Sequence, residues 1–136
     1  MLEILEPIPD HVAQRISLGI ARSNEACAVH RENFAIVLGM DDEVFGGGVT
    51  ASVSFAVLFI NNLWVAEAHR RSGEGRRLMF AAEDEGRRRG AKIACVDTLS
   101  SQAPDFYAKL GYEEFARVCG ENGGQPLHRI WLQKIL

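Results

Sequence analysis

Apolar and polar positions alternate along this chain in two periods, and the two periods predict a mixed α/β protein. Short apolar runs bounded by turn residues predict strands over 2–6, 34–40, 44–55, 56–65, 92–98, 112–119 and 128–135. Apolar residues at helical spacing predict helices over 12–27, 74–89 and 103–110. The order strand, helix, strand between residues 56 and 98 is typical of a crossover joining two parallel strands. The last two strands follow each other through a loop at 120–126, which favours an antiparallel pair.

The first two predicted helices each carry one apolar face. Asp10 is a suitable N-cap for the first, in which Val12, Ile16, Ile20 and Cys27 recur on one side, so we expect that side to face a core. The second helix places Leu78, Ala82 and Gly86 on one face and ends at Gly90. The arginines at 87–89 are interpreted as a solvated helix end.

Two interruptions of the apolar runs, one of glycines and one of asparagines, indicate irregular places in the predicted sheet. Glycines at 46–48 indicate a bulge or a close approach of two backbones. Asn61 and Asn62 interrupt the run 56–65, which we interpret as the central strand, and such a break usually marks a bulge. The alternative is that the two asparagines form a tight turn between two shorter strands.

Length and composition limit the possible classes of protein. A chain of 136 residues that is 47% hydrophobic and 24% charged is expected to form one globular domain over 1–136. The apolar runs are shorter than the roughly 20 residues that cross a bilayer, and acids stand near the N-terminus where a signal peptide has bases, so we expect a cytoplasmic protein without membrane contact. Cys27, Cys95 and Cys119 form no CxxC pair, and no histidine or cysteine spacing predicts a metal site.

The charge is unevenly distributed. The net charge is −3, but residues 70–89 hold seven arginines against four acids. A local basic segment in an acidic chain predicts an anion site, and it makes a general nucleic-acid-binding surface unlikely.

The segment 63–79 carries the strongest functional signal. An apolar strand leads into a turn with Gly73 and Gly75, and a helix follows with arginines around it. Glycines allow close approach of an anion to the backbone, and the first-turn N–H groups of a helix lack partners, so the segment predicts a phosphate cradle. It lacks the third glycine of a dinucleotide fingerprint and the Gly-Lys-Ser/Thr of a P-loop. The competing interpretation is a solvated turn before a basic helix.

The sequence of this turn, Arg70-Arg71-Ser72-Gly73-Glu74-Gly75, resembles the Arg/Gln-x-x-Gly-x-Gly/Ala acetyl-CoA signature of the GNAT N-acetyltransferase superfamily. Arg71 departs from the usual glycine, and Glu67 stands where proline is frequent. A second segment, 102–112, resembles the superfamily's Asn-x-x-Ala-x-x-Φ-Tyr-x-x-x-Gly-Phe/Tyr pattern, with Tyr107 and Gly111 at its fixed positions. The resemblance implies one GNAT-like domain with a mostly antiparallel mixed sheet, a splayed parallel strand pair and flanking helices.

The resemblance also implies site residues. The Leu63 backbone amide would polarise the thioester carbonyl, Val65 would pair with pantetheine, and the Tyr107 phenol would protonate the departing thiolate. Ser100 stands where asparagine is frequent. The implied acetyl-CoA-binding set is Leu63, Val65, Arg70, Arg71, Ser72, Gly73, Glu74, Gly75, Arg76, Ser100 and Tyr107.

The general base is not identified. Some superfamily members carry a glutamate on the central strand, but Phe59 occupies the matching position here. Asn61, Asn62 or Glu67 could hold a water, and His69 lies beside the loop.

The leading hypothesis is a cytoplasmic N-acetyltransferase that uses acetyl-CoA and an amine acceptor without a metal, and that transfers the acetyl group by direct attack in a ternary complex. The site for the amine acceptor is expected between residues 12 and 33, which carry no motif. A homodimer is a further hypothesis for the assembly. The alternatives are a CoA-binding regulatory module without catalysis and a nucleic-acid-binding domain using the arginine-rich helix.

Overall fold

Six strands form one mixed sheet in the computed structural model, which describes residues 1–25, 29–39 and 45–136. The order of the strands across the sheet is β1-β2-β3-β4-β6-β5. The strands are β1 Arg31–Leu38, β2 Gly47–Ser54, β3 Val57–Val65, β4 Ile93–Leu99, β5 Glu113–Asn122 and β6 Gln125–Ile135. The helices are α1 Asp10–Ser23, α2 Glu74–Arg88 and α3 Pro104–Lys109, with a short 3-10 turn at Glu67–His69.

One parallel pair stands at the centre of an otherwise antiparallel sheet. β3 and β4 pair only from Val57 to Ile60, opposite Ile93 to Val96, and then separate. A register shift on β2 between Thr50 and Ala51 leaves Asn61 as an extra residue on β3. The predicted bulge at the asparagines and the predicted splayed parallel pair are therefore confirmed, and the tight-turn alternative is wrong because β3 is continuous.

Helix α2 connects the parallel strands and covers one face of the sheet. Its buried residues include Leu78, Ala82 and Gly86, the predicted apolar face. A Cβ at Gly86 would lie 2.9 Å from Leu58 Cδ2, so the absent side chain allows helix and sheet to approach closely. The helix ends where predicted, since Gly90 takes the left-handed conformation at φ +87°.

A buried charge also joins α2 to the sheet. Glu83 is 1% exposed and accepts hydrogen bonds from Lys134 Nζ at 2.9 and 3.0 Å. Tyr112 Oη donates to the same carboxylate at 2.9 Å. The three groups tie α2, β6 and the segment between α3 and β5 together inside the core, so Tyr112 has a structural role.

The glycines at the start of β2 allow a close approach to the neighbouring strands. A Cβ at Gly47 would lie 2.3 Å from the Trp64 carbonyl oxygen, and one at Gly48 would lie 2.8 Å from the Ile36 carbonyl oxygen. The bulge itself is at Asn61 on β3, opposite Thr50 and Ala51 of β2, so the close-approach interpretation of residues 46–48 is the correct one.

Several predicted boundaries differ from the structure. The strand predicted at 2–6 does not form, because no strand in the described part of the chain pairs with this segment. The loop predicted at 120–126 is a tight turn at Gly123 and Gly124, so β5 and β6 are longer than expected. β1 begins three residues before the predicted 34. The positions Cys27, Met40, Asp41–Glu43 and Val44 lie outside the described residues.

The first helix does not pack as predicted. α1 runs from Asp10 to Ser23 and buries none of its side chains, although Ile16 and Ile20 form an apolar stripe with Val12. It makes no substantial contact with any other described element. The expectation that this stripe faces the core of the same chain is therefore wrong. Among the described helices, none has the length and apolar character needed to cross a membrane.

Candidate functional site

The separation of β3 from β4 opens a cavity at the carboxyl ends of both strands. This splay cavity has a volume of about 400 Å³. Beyond Ile60 the edge of β3 that faces β4 has no strand partner among the described residues, so the Leu63 backbone lies at an unpaired edge there, as the splay was expected to leave it. The lining residues are Ile60, Asn61, Asn62, Leu63, Trp64, Val96, Asp97, Thr98, Leu99, Gln102, Tyr107 and Arg129.

Tyr107 reaches the splay cavity from α3. The side chain is 8% exposed, and its ring packs edge-on against Phe106 and Tyr112, with centroids 5.1 and 6.0 Å away. Burial raises the pKa of the phenol, and the Asp97 carboxylate raises it further. The neighbouring rings therefore fix the position of the phenol on the wall of a polar cavity, and its raised pKa keeps it protonated.

A second cavity lies at the start of α2. This cradle has a volume of about 360 Å³ and is lined by Val65, His69, Arg70, Arg71, Gly73, Glu74, Gly75, Arg76 and Phe106. Gly73 is the N-cap of α2 at φ +82°, and nothing lies within 4 Å of where its Cβ would be. The first-turn N–H groups of a helix have no intrahelical partners and carry the positive end of its dipole, so the cradle suits an anion.

Side chains around the cradle fix the shape of the turn. Arg70 Nε donates to the Val65 carbonyl oxygen at 2.8 Å, and Ser72 Oγ donates to the His69 carbonyl oxygen at 2.7 Å. Arg71 takes a left-handed conformation at φ +63° where the superfamily pattern has glycine. These contacts hold the turn in place, with Arg70 and Ser72 bonded to the backbone.

The charges at the helix start are partly compensated. Glu74 forms a bidentate pair with Arg77, with Nη1–Oε distances of 2.9 and 3.0 Å. Arg76 lies over the Phe80 ring at 5.1 Å from its centroid. Arg71 and Arg76 line the cradle as well, so they supply its positive charge.

The two cavities are joined by consecutive residues of the same two elements. On α3, Phe106 lines the cradle and Tyr107 lines the splay cavity. On β3, Val65 lines the cradle, and Leu63 and Trp64 line the splay cavity. A ligand with a phosphate at one end and a reactive group at the other could therefore follow the end of β3 from cavity to cavity.

Gly75 is tightly surrounded. A Cβ at this position would lie 3.3 Å from Phe106 Cζ, so a side chain here disturbs α3 as well as the cradle. Substitutions at Gly73 probe the cradle more cleanly, because that position is open.

Ser100 has a structural contact in addition to its expected role. Its Oγ accepts a hydrogen bond from the His128 amide at 3.0 Å, and its own amide donates to the His128 carbonyl oxygen at 2.8 Å. The residue therefore fixes the end of β4 to β6 and does not line either described cavity.

Some residues of the splay cavity could not be found by motif. Asp97 and Arg129 form an ion pair from adjacent strands, and Trp64 stacks on Phe45 with ring centroids 6.0 Å apart. No motif or spacing in the sequence points to the first pair. Gln102 Oε1 accepts from the Leu99 amide at 3.2 Å and thereby holds the turn before α3.

The candidates for holding a water are divided between the cavities. Asn61 and Asn62 line the splay cavity, and Asn62 Nδ2 donates to Thr50 Oγ1 at 3.0 Å. His69 lines the cradle, whereas Glu67 is exposed and lines neither described cavity. Phe59 packs edge-on against Phe55. Within the described residues, no group of three or more His, Cys, Asp or Glu side chains could hold a metal ion.

Two acetyltransferases of known sequence match this chain, one along nearly its whole length and the other along about half of it. Acetyltransferase Atu2258 of Agrobacterium fabrum is 26% identical over 137 residues, 96% of each chain. Blasticidin-S acetyltransferase of Streptomyces morookaense is 36% identical over 73 residues, 53% of this chain and 54% of the relative.

Solved structures share the fold. A crystal structure from Agrobacterium tumefaciens covers 100% of both chains with a TM-score of 0.87 and 25% identity. A Bacillus subtilis acetyltransferase in complex with CoA has a TM-score of 0.62 and 19% identity, covering 98% of this chain and 97% of that one.

The acetyltransferase (GNAT) family model matches residues 2–112, which is most of the chain. This match agrees with the splayed parallel pair, the anion cradle and the buried tyrosine between them. The chain belongs to the GNAT acetyltransferase family and is an acyltransferase.

Proposed function

We propose that the protein transfers an acetyl group from acetyl-CoA to a primary amine of a small molecule or peptide by direct attack in a ternary complex. The observation that carries this proposal is that consecutive residues of β3 and α3 line the two cavities, which places the cavities next to each other. Acetyl-CoA has a pyrophosphate and a thioester joined by an extended arm, and the two cavities offer a matching pair of environments.

The residues present fit this cosubstrate. The pyrophosphate would lie on the first turn of α2 at Gly73 and Gly75, with Arg71 and Arg76 adding positive charge. The pantetheine arm would lie along the unpaired edge of β3 at Leu63 and Val65, as an added strand does.

The proposed chemistry needs few side chains. The amine nitrogen would bond to the acetyl carbonyl carbon while the carbon–sulfur bond breaks, and the Tyr107 phenol would give its proton to the departing thiolate. The proton that the amine loses would pass to water, and the phenolate would recover a proton from solvent. The Leu63 amide polarises the carbonyl. A positioned proton donor typically contributes about 10²- to 10⁴-fold in rate.

The acceptor is proposed to be a small cationic amine. The net charge of the whole chain is −3 although residues 70–89 hold seven arginines against four acids, so the rest of the chain is acidic and steers positively charged molecules toward the protein. The acetyltransferase with which this chain shares 36% identity is named for blasticidin S, which therefore belongs in the first set of acceptors tested.

The direct test measures free thiol while purified protein is incubated with acetyl-CoA and a panel of amines. The panel contains polyamines, aminoglycosides, blasticidin S, amino acids and peptides. We expect turnover well above the hydrolysis seen without an amine for at least one cationic small molecule. Background rates with every amine would contradict catalysis by this chain.

A CoA-binding module without catalysis is the second candidate, and Phe59 at the position of the superfamily glutamate is the observation that favours it. Thermal stabilisation by CoA without acetylation of any amine would identify it. The hypothesis of a nucleic-acid-binding domain loses support, because Arg77, Arg87 and Arg88 form ion pairs with acidic residues of their own helix. A salt-dependent shift with DNA or RNA, and none with CoA, would restore it.

A further inference from the structure

The first 25 residues form an arm whose apolar side chains lie outside the body of the chain. Leu2 and Ile4 are 101% and 94% exposed, and Ile16 and Ile20 of α1 are 60% and 57% exposed. An isolated helix of 14 residues is marginal in water, because most helix stability comes from packing of an apolar face. The stripe on α1 therefore needs a surface to cover it.

The sheet offers such a surface on the side opposite α2, which we call the open face. Ile93 and Ile135 are paired across β4 and β6 there, and they are 37% and 84% exposed. Phe55 follows β2 at the same end of the sheet and is 67% exposed, while Trp64 and Phe45 lie at the other end. Exposed large apolar side chains at both ends of one sheet face indicate an interaction surface.

The arm and the open face match in size. Fourteen helical residues span about 21 Å, and the seven residues of β4 span about 23 Å, so α1 can run along the open face from one end to the other. A stable protein interface takes about 20 to 30 residues from each partner. A mutual exchange of arms makes the contact twice and reaches that size.

We infer that the position of the arm, away from its own sheet, is a feature of this fold. The Agrobacterium tumefaciens crystal structure matches this chain along its whole length with a TM-score of 0.87, and the arm is roughly a fifth of the residues. An arm packed against its own sheet would not superpose in this way. The surface that covers α1 must therefore come from another molecule, and the open face of a second copy is the complementary one.

We propose that two copies of the chain exchange arms, so that α1 of each copy covers the open face of the other. Val12, Ile16 and Ile20 then pack on the partner's sheet, and the exposed apolar residues of both surfaces become buried.

The exchange also affects the site. Trp64 lines the splay cavity and stacks on Phe45, and both side chains are about half exposed on the open face. An arm from the partner that covers this end of the face forms the wall of the acceptor side. This part of the proposal rests on the proposed function, whereas the exchange itself does not.

The oligomeric state is measured by sedimentation on four proteins. The wild type should be a dimer. The arm variant Ile16→Asp/Ile20→Asp and the face variant Phe55→Asp/Ile135→Asp should each be monomeric. Leu18→Asp, on the opposite side of α1, is the matched control and should stay dimeric. A monomeric wild type, or a dimer that survives both double variants, would overturn the exchange.

Mixing the arm variant with the face variant separates exchange from other dimers. One heterodimer contact then joins an intact arm to an intact face, so the mixture should recover dimers that neither variant forms alone. A mixture that stays monomeric would overturn the exchange. Circular dichroism and thermal stabilisation by CoA on each variant show that the body is folded, and retained CoA binding separates this test from the proposed function.

The same mixture tests the shared site. The intact arm covers the face of the arm variant, so Tyr107→Phe placed in the arm variant should remove most acetyl transfer by the mixture. Tyr107→Phe placed in the face variant should leave the transfer rate nearly unchanged. Equal losses in the two mixtures would show that the arm does not complete the acceptor side.

Discussion

At the scale of single residues, two neighbouring tyrosines have different tasks. Tyr107 faces the splay cavity, whereas Tyr112 donates a hydrogen bond to buried Glu83. Their rings are in contact, so a pair of Tyr-to-Phe variants compares catalysis with packing under almost the same burial.

We expect Tyr107→Phe to lower kcat by about 10²-fold or more with little change in acetyl-CoA affinity, because the lost proton transfer occurs only in the transition state. Tyr112→Phe should keep kcat and lower the melting temperature, since it removes one of the hydrogen bonds to a buried carboxylate. Steady-state kinetics and thermal unfolding on both variants check this. Wild-type kcat in Tyr107→Phe would remove the proton-donor role.

The pH dependence follows from the environment of Tyr107. Burial and then Asp97 raise the pKa of this phenol, so its protonated form persists to higher pH than that of a free tyrosine, near 10. The rate should therefore hold above pH 10 and fall only as the raised pKa is passed. A fall centred below 10 in kcat, measured in the wild type and absent in Tyr107→Phe, would contradict this assignment.

At the scale of elements, α2 carries an equivalent glycine at each end. Gly73 and Gly90 have φ values of +82° and +87°, and nothing lies within 4 Å of where either Cβ would be. A substitution therefore causes similar backbone strain at both positions, but only Gly73 lines the cradle.

Gly73→Asp should weaken acetyl-CoA binding about 10-fold or more, because it places a negative charge beside the pyrophosphate. Gly90→Asp should bind normally, and Gly73→Asn, which has nearly the same shape without the charge, should weaken binding less. Calorimetry with CoA compares the three. Equal affinity in all of them would show that the cradle does not hold the phosphates.

The attachment of α2 to β6 depends on Glu83 and Lys134. Removing one partner of a buried ion pair typically costs about 3 to 5 kcal/mol, because the other charge stays buried without compensation. Glu83→Ala should therefore destabilise the protein strongly, whereas Asp84→Ala, one position further along the same helix and exposed, should change stability by less than about 1 kcal/mol. Urea unfolding measures both.

At the scale of the whole molecule, the arm links stability to assembly. If arms are exchanged, folding of the arm is coupled to dimer formation, and the melting temperature should rise with protein concentration. Ile16→Asp/Ile20→Asp should melt at one temperature over the same concentration range, and Leu18→Asp should behave like the wild type. A wild-type melting temperature independent of concentration from about 1 to 100 μM would speak against a reversible exchanged dimer.

Elements whose signals are local could be predicted from the amino-acid sequence. Gly73 before α2, Gly90 after it and the asparagines in β3 each impose a backbone geometry on their own neighbours, so the cradle, the helix ends and the bulge could be predicted. The order of residues 56–98 determined the parallel pair for the same reason, since a strand, helix and strand in succession have few ways to pack.

The tertiary structure alone decided what depends on distant residues. The ion pair of Asp97 with Arg129 and the buried pair of Glu83 with Lys134 join positions separated by more than 30 residues, and no spacing announces them. The apolar stripe on α1 shows the limit of what local sequence patterns can predict. Periodicity indicates that a helix has a face to bury, but it does not specify which surface, in this copy or in another, covers that face.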